Sequence, residues 1–374
     1  MILYLVLPTI LLHLAFAGCR VNLSLFALSL NATPLTVGVI VSLLALLPMI
    51  FAVSAGRVMD RIGVRGPMLA GAGATIAGIA LVYAVPRIEV LFIASPLVGA
   101  GFMLYHMAVN HAAGSIGVPE DRVRNFSMLA LTFSTSNFLG PMLTGFAIDW
   151  IGHRQTFLLL AGSAALALAV LLVKRLEVKR HKHADTPGKE RRMADLWRDR
   201  GMQRVFFVSG ALSMAWDLFT FVVPIYGSQI GLSASVIGLI LGAFGAAIFI
   251  VRLALPLFAH RVNEWRLLII AMVATGAGFF VFPLVTTVPV LIAFAFILGV
   301  GLGGTQPILM SLLYTHAPPG RGGEAVGVRT LLLNFSQAGI PLLFGALGAA
   351  LGIAPAFWAM ATVLAGGGYW LRKR

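Results

Sequence analysis

Apolar runs of about twenty residues, each long enough to cross a hydrocarbon core, recur along this chain from end to end. Twelve are expected, near 3–29, 35–56, 67–85, 89–114, 125–148, 156–173, 205–227, 234–259, 266–283, 289–314, 329–349 and 353–371. They lack the strict alternation of barrel strands, so each is expected to be a helix that satisfies its own backbone hydrogen bonds. Of the 374 residues, 59% are hydrophobic and 11% charged, which excludes an ordinary soluble domain. The expected fold class is all-α integral membrane, with twelve transmembrane helices.

A net charge of +14 invites a nucleic-acid role, but its distribution argues against one. Of the 27 Lys and Arg, Arg87 and Arg154 fall in loops on one side, and Arg20 and Arg252 fall within spans. The other 23, Arg329 among them, fall on the side of the termini. This bias predicts both termini in the cytoplasm of a bacterial inner membrane, beside anionic lipid. Cys19 is the sole cysteine, so no intrachain disulfide forms. "FAGC" (16–19) faintly resembles a lipoprotein cleavage site, but no positive region precedes it and the apolar run continues past it. An uncleaved first span is expected.

The chain repeats itself at an offset of 200. "VGVIVSL" (37–43) matches "IGLILGA" (237–243), and "GAG" (99–101) matches "GVG" (299–301). Pro141 matches Pro341, and Gly145 matches Gly345. Two six-helix halves in the same orientation follow, related by an axis along the membrane normal, with the substrate site between them near the midplane. The division is an N-terminal bundle over 1–173, a linker over 174–204 and a C-terminal bundle over 205–374. The linker holds eleven basic and five acidic residues and suits a solvated connector that fixes topology.

"GRVMDRIGVRGPM" (56–68), between spans two and three, resembles the major facilitator superfamily signature G-x-L-a-D-r-x-G-r-k-x-x-l, matching at Gly56, Asp60, Arg61, Gly63 and Arg65. The resemblance implies that this loop latches the cytoplasmic side of the outward-open state, Asp60 capping a facing helix N-terminus. "SNFLGPMLTG" (136–145) is similar to that family's antiporter motif in span five, with Gly140, Pro141 and Gly145 in place; a kinked packing helix explains the same residues. "LFIASPLVGAG" (91–101) departs from the family's span-four motif, with Ser95 where an arginine often tied to proton coupling stands. "GVGLGG" (299–304) fits a dinucleotide pattern but lies mid-span, where helix packing accounts for it. His106 and His111, five apart, do not share a helix face, so no metal site is expected. His106 and Asn110, four apart, do.

Asp217 is the one acidic residue deep in a span. It belongs to a stripe of Ser213, Asp217, Thr220 and Pro224 on span seven. Span one carries the equivalent stripe of His13, Ala17, Arg20 and Ser24. Arg20 and Asp217 are thus offset by three residues, about 4.5 Å of rise, on helices that face a central cavity in the resembled fold. Each alone costs about 2.5–3.5 kcal/mol at a helix centre on insertion scales. They are expected to pair, Asp217 carrying the coupling proton and Arg20 binding substrate. A permanent ion pair pinning the halves together is the alternative.

His106, Asn110, Trp216, Thr220, Tyr226, Gln306 and Asn334 are expected to line the cavity with Phe16, Phe133 and Phe219, and Arg252 is a secondary candidate. That mixture suits a small amphipathic molecule, and an anion or zwitterion over a cation. The expected function is secondary active transport by alternating access, as proton-coupled efflux of a small organic compound by a monomer without cofactor. Proton-linked uptake of an organic anion is one alternative. A membrane receptor or enzyme is another, although no nucleophile–base constellation supports enzyme activity.

Overall fold

The computed structural model describes residues 3–116, 121–173, 196–258, 263–318 and 321–372. Among them no strand occurs. The helices are α1 (Leu3–Ser29), α2 (Pro34–Ile62), α3 (Arg65–Ala84), α4 (Ile88–Ser115), α5 (Asp121–Val173), α6 (Arg200–Gln229), α7 (Ala234–Phe258), α8 (Glu264–Val281), α9 (Val288–Gly303), α10 (Thr305–His316), α11 (Gly322–Leu351) and α12 (Ala354–Arg372). The long α5 breaks at Gly152, whose φ of +83° interrupts it, and supplies spans five and six. Helices α9 and α10 meet at Gly304 and together form span ten. Among the described residues ten helices are long and apolar enough to cross a membrane; with α5 divided at Gly152 and α12 added, the chain has twelve helical segments, and an even number puts both ends on one face, called here the terminus face. Most of the linker, 174–195, lies outside the described residues, and α6 already begins at Arg200.

The offset of 200 returns in the backbone. Asn31 (φ 60°) and Gly231 (φ +75°) turn the α1–α2 and α6–α7 connections. Both residue types tolerate the left-handed region. Gly152 and Gly352 both have φ +83°, one inside α5, the other between α11 and α12. Packing repeats likewise. A β-carbon on Gly99 would run into the carbonyl of Leu44, and one on Gly299 into that of Phe244. On Gly78 it would meet Val98, and on Gly278 Leu298. These glycines let neighbouring helices approach closely, the device that replaces hydrophobic drive inside a membrane. "GVGLGG" is therefore a packing segment.

The halves meet along two helix pairs, α2 with α11 and α5 with α7. Gly38 sits against Pro341 and Gly345, and Gly238 against Pro141 and Gly145. In each pair the contact lies toward the face opposite the termini, where α2 and α7 begin. Pro141 and Gly145 of the span-five motif thus pack on α7, while Gly140 abuts Ala17 and Leu14 of α1. Asp149, at the end of span five, accepts hydrogen bonds from the backbone N–H of Ala234 (3.1 Å) and Ser235 (2.8 Å), the first turn of α7. A carboxylate there satisfies two orphan donors and meets the positive end of the helix.

Candidate transport site

Helix α6 is the most enclosed of the spans, with 72% of its apolar window buried against 33% for α2. Asp217 stands at its middle and is 4% exposed. Ser336 of α11, 1% exposed, donates a 2.7 Å hydrogen bond to its Oδ2. Arg20, half-buried on α1, lies near enough for the two charges to attract each other. They do not reach ion-pair distance, and among the described residues the hydrogen-bond partner of the Asp217 carboxylate is Ser336. The expected direct pair is thus a facing pair, with Asp217 held instead by a hydroxyl on α11, a helix of its own half. Burying a carboxylate this way is tolerable only because the short bond to Ser336 offsets part of the desolvation.

Two other stripe members, Ser24 and Thr220, are bonded within their own helices. Ser24 Oγ donates to the Arg20 carbonyl (3.1 Å), and Thr220 Oγ1 to that of Trp216 (3.1 Å). Trp216 meets Phe244 edge-on at 5.1 Å, and Phe219 packs on Phe244 at 4.6 Å. Tyr226 is turned away from this region. Its hydroxyl donates to the carbonyl of Val285 (2.8 Å) beyond α8, and its ring packs on Phe282 and Phe357.

Arg252 of α7 bridges the halves. It donates to Ser134 Oγ of α5 (2.9 Å) and to Gln306 Oε1 of α10 (2.9 Å). Arg252 is therefore a cross-linking cation, with no carboxylate within ion-pair distance among the described residues. Asn334, half-buried on α11, is the repeat counterpart of Ser134. On the N-terminal side, His13 and Phe16 of α1, Phe102 and His106 of α4 and Phe133 of α5 form one ring cluster. Phe16 and Phe102 stack with centroids 3.8 Å apart, and His106 lies 4.7 Å from Phe133. His13 Nδ1 has no partner. Asn110 folds back on its own helix, donating to the His106 carbonyl (2.8 Å).

Of the loop motif, the side chains of Gly56, Asp60 and Arg61 lie outside the described residues. Gly63 is described. It caps α2 at φ +84°, a region closed to residues with a β-carbon except at a cost, and its N–H bonds the Met59 carbonyl. Arg65 opens α3, and its Nε has no partner among the described residues. Ser95, at the place of the family's span-four arginine, is fully buried.

The sequence-level assignment omitted three polar residues. Ser336 had a signal, since it is the repeat mate of Ser136, whose hydroxyl donates to the Ile10 carbonyl of α1. Ser134 had none. Arg329 is the third, and its placement is a correction. Counted among the loop cations, it lies inside the bundle on α11 and is 6% exposed. The span was expected to start at 329, whereas α11 starts at Gly322, so Arg329 sits two turns in.

Two six-helix halves related by a parallel repeat, enclosing a buried carboxylate and facing cations, make a membrane transporter. The sequence profile of the Major Facilitator Superfamily matches residues 5–339 and 205–374, and the chain belongs to that family. It is 28% identical over 321 residues to the tetracycline resistance protein, class G, of Vibrio anguillarum, covering 83% of this chain and 80% of that one. It is 25% identical over 335 residues to the class E protein of Escherichia coli, covering 83% and 78%. Among solved structures it resembles a POT family transporter in complex with a thioalcohol-conjugated peptide (TM-score 0.82, 16% identity, 100% and 95% of the chains covered). It also resembles the human organic anion transporter MFSD10 (TM-score 0.69, 17% identity, 99% and 98% covered).

Proposed function

We propose that this transporter exports a small amphipathic organic compound from a bacterial cell, driven by protons, with both termini in the cytoplasm. The observation that carries the reading is Asp217, a carboxylate buried at mid-span that is held by one hydroxyl and faces Arg20 without pairing to it. An acid so placed can take a proton in one conformation and release it in another, as water, Arg20 and Ser336 exchange around it. Arg20 and Arg252 outnumber the one carboxylate among them, so an anionic or zwitterionic compound is favoured. Phe16, Phe133 and Trp216 supply apolar area for its body, and His106, Asn110, Thr220, Gln306 and Asn334 supply hydrogen-bonding groups near it. Support for export comes from the tetracycline resistance relatives, because a transporter confers resistance by removing the compound. The charge bias and the bacterial relatives support an inner-membrane location with the terminus face inward.

The test is flux in sealed proteoliposomes of known orientation, with an imposed proton gradient, tried first with an aromatic carboxylate and then with tetracycline. Accumulation in the direction that corresponds to export, collapsing with a protonophore, is expected. Gradient-driven accumulation in the opposite sense would make the protein an importer.

A further inference from the structure

Arg329 is a buried cation without a counter-charge. It is 6% exposed, its Nε has no hydrogen-bond partner among the described residues, and its Nη1 points at the sulfur of Met310 on α10, 3.6 Å away. No carboxylate stands within ion-pair distance among the described residues. An uncompensated charge is among the most costly things a bundle can enclose.

Its position follows from the Ser336–Asp217 bond. That bond fixes the register of α6 against α11, and the two helices run in the same direction. Seven residues back on each helix is two turns, about 10.5 Å, on the same face. On α11 that residue is Arg329, and on α6 it is Gly210. Gly210 is buried, yet a β-carbon built on it would meet nothing within 4 Å. Next to it, Ser209 is 1% exposed and its hydroxyl has no partner among the described residues. A small enclosed space, an unpaired guanidinium and an unpaired hydroxyl therefore occupy one level of the bundle, two turns from Asp217 toward the terminus face.

We infer that Arg329 and the space beside Gly210 form a binding site for the carboxylate of the transported compound. The Nε–H and Nη–H edge of a guanidinium is a fork that matches a carboxylate with two parallel bonds, which a methionine sulfur cannot replace. The absence of a side chain at Gly210 leaves room for the anion. This inference rests on the transport reading above and gives it a substrate class, organic carboxylates held about 10 Å from the proton-carrying acid.

The experiment uses the full-length protein in detergent, with sodium benzoate as the probe against equal sodium chloride, followed by thermal unfolding. Benzoate is expected to raise the melting temperature in proportion to the logarithm of its concentration. The shift should vanish in Arg329→Met and in Gly210→Leu, while Arg329→Met without benzoate melts higher than the parent because the unpaired charge is gone. No benzoate shift in the parent protein, or an undiminished one in Arg329→Met, overturns the inference. An equal, Arg329-dependent shift with inorganic phosphate assigns the site to a free oxyanion and overturns the carboxylate assignment. The transport reading fails separately, through absent flux in vesicles while the benzoate shift persists.

Discussion

Gly38 and Gly238 occupy equivalent places in two interfaces that are copies of each other. Gly38 of α2 lies against Pro341 and Gly345 of α11, and Gly238 of α7 lies against Pro141 and Gly145 of α5. Subtracting or adding 200 converts one set into the other. Each half thus presents the same surface that it receives, as in a twofold dimer made within one chain. Neither glycine can take a β-carbon without meeting a backbone carbonyl.

Gly238→Leu forces α7 away from α5. We expect a loss of roughly 1–3 kcal/mol, the ordinary cost of overpacking a close contact, read as a lower melting temperature in detergent. Gly38→Leu should cost a similar amount through α2 and α11. A large difference between the two would show that the interfaces are not energetically equivalent.

Asp149→Ala removes the acceptor for the first two N–H groups of α7. The site is exposed, so we expect the lower part of the capping range, about 0.5–1 kcal/mol. That is a two- to fivefold shift away from the conformation in which the halves are joined at this face. A cysteine at Ser233 on a Cys19-free background should become more reactive to an impermeant reagent. Asp60→Asn, in the loop on the other face, should shift the balance the opposite way.

Asp217→Asn should abolish gradient-driven accumulation while retaining substrate binding, and counterflow should lose its pH dependence. Arg20→Ala should weaken binding itself. Normal uphill transport by Asp217→Asn would leave Asp217 a structural partner of Ser336 and place the driving ion elsewhere.

Arg252→Leu strands Ser134 and Gln306, removing the bridge between α5, α7 and α10. The expected cost is roughly 1–3 kcal/mol from lost charge-assisted bonds, seen in thermal unfolding, with Ser134→Ala recovering little on its own. If Arg252→Leu unfolds at the same temperature as the parent, the bridge carries no stability.

Topology is checked from outside. A cysteine at Asp185 should resist an impermeant reagent in intact cells, and one at Arg87 or Arg154 should react. The reverse pattern turns the protein over and reassigns every statement about inner and outer sides.

Much of the fold was legible because membrane helices announce themselves by length and apolarity, and because the repeat needs no gaps. Pro141 and Pro341 were visible as a repeat pair, but their place on the two seams was not, because it depends on which helices of the two halves meet. The site was legible only in part. Asp217 and Arg20 stood out as charges in apolar runs, but their separation depends on how α1 and α6 tilt, which periodicity does not encode. Ser336 required knowing that α11 lies beside α6. Arg329 was lost to a boundary, since a cation near the end of an apolar run looks like a loop residue until the helix is seen to start seven residues earlier. Asp149 sits at the exposed end of span five, where an acid is unremarkable without its α7 partner.

The repeat breaks its own symmetry at Asp149. The equivalent position in the second half is Ala349, and the helix it would face begins with Pro34, which has no N–H to give. One edge of the far-side seam is therefore buttoned and the other merely pressed together. Losing the Asp149 bonds would therefore loosen the α5–α7 edge alone and leave the glycine-lined contact between α2 and α11 as it stands.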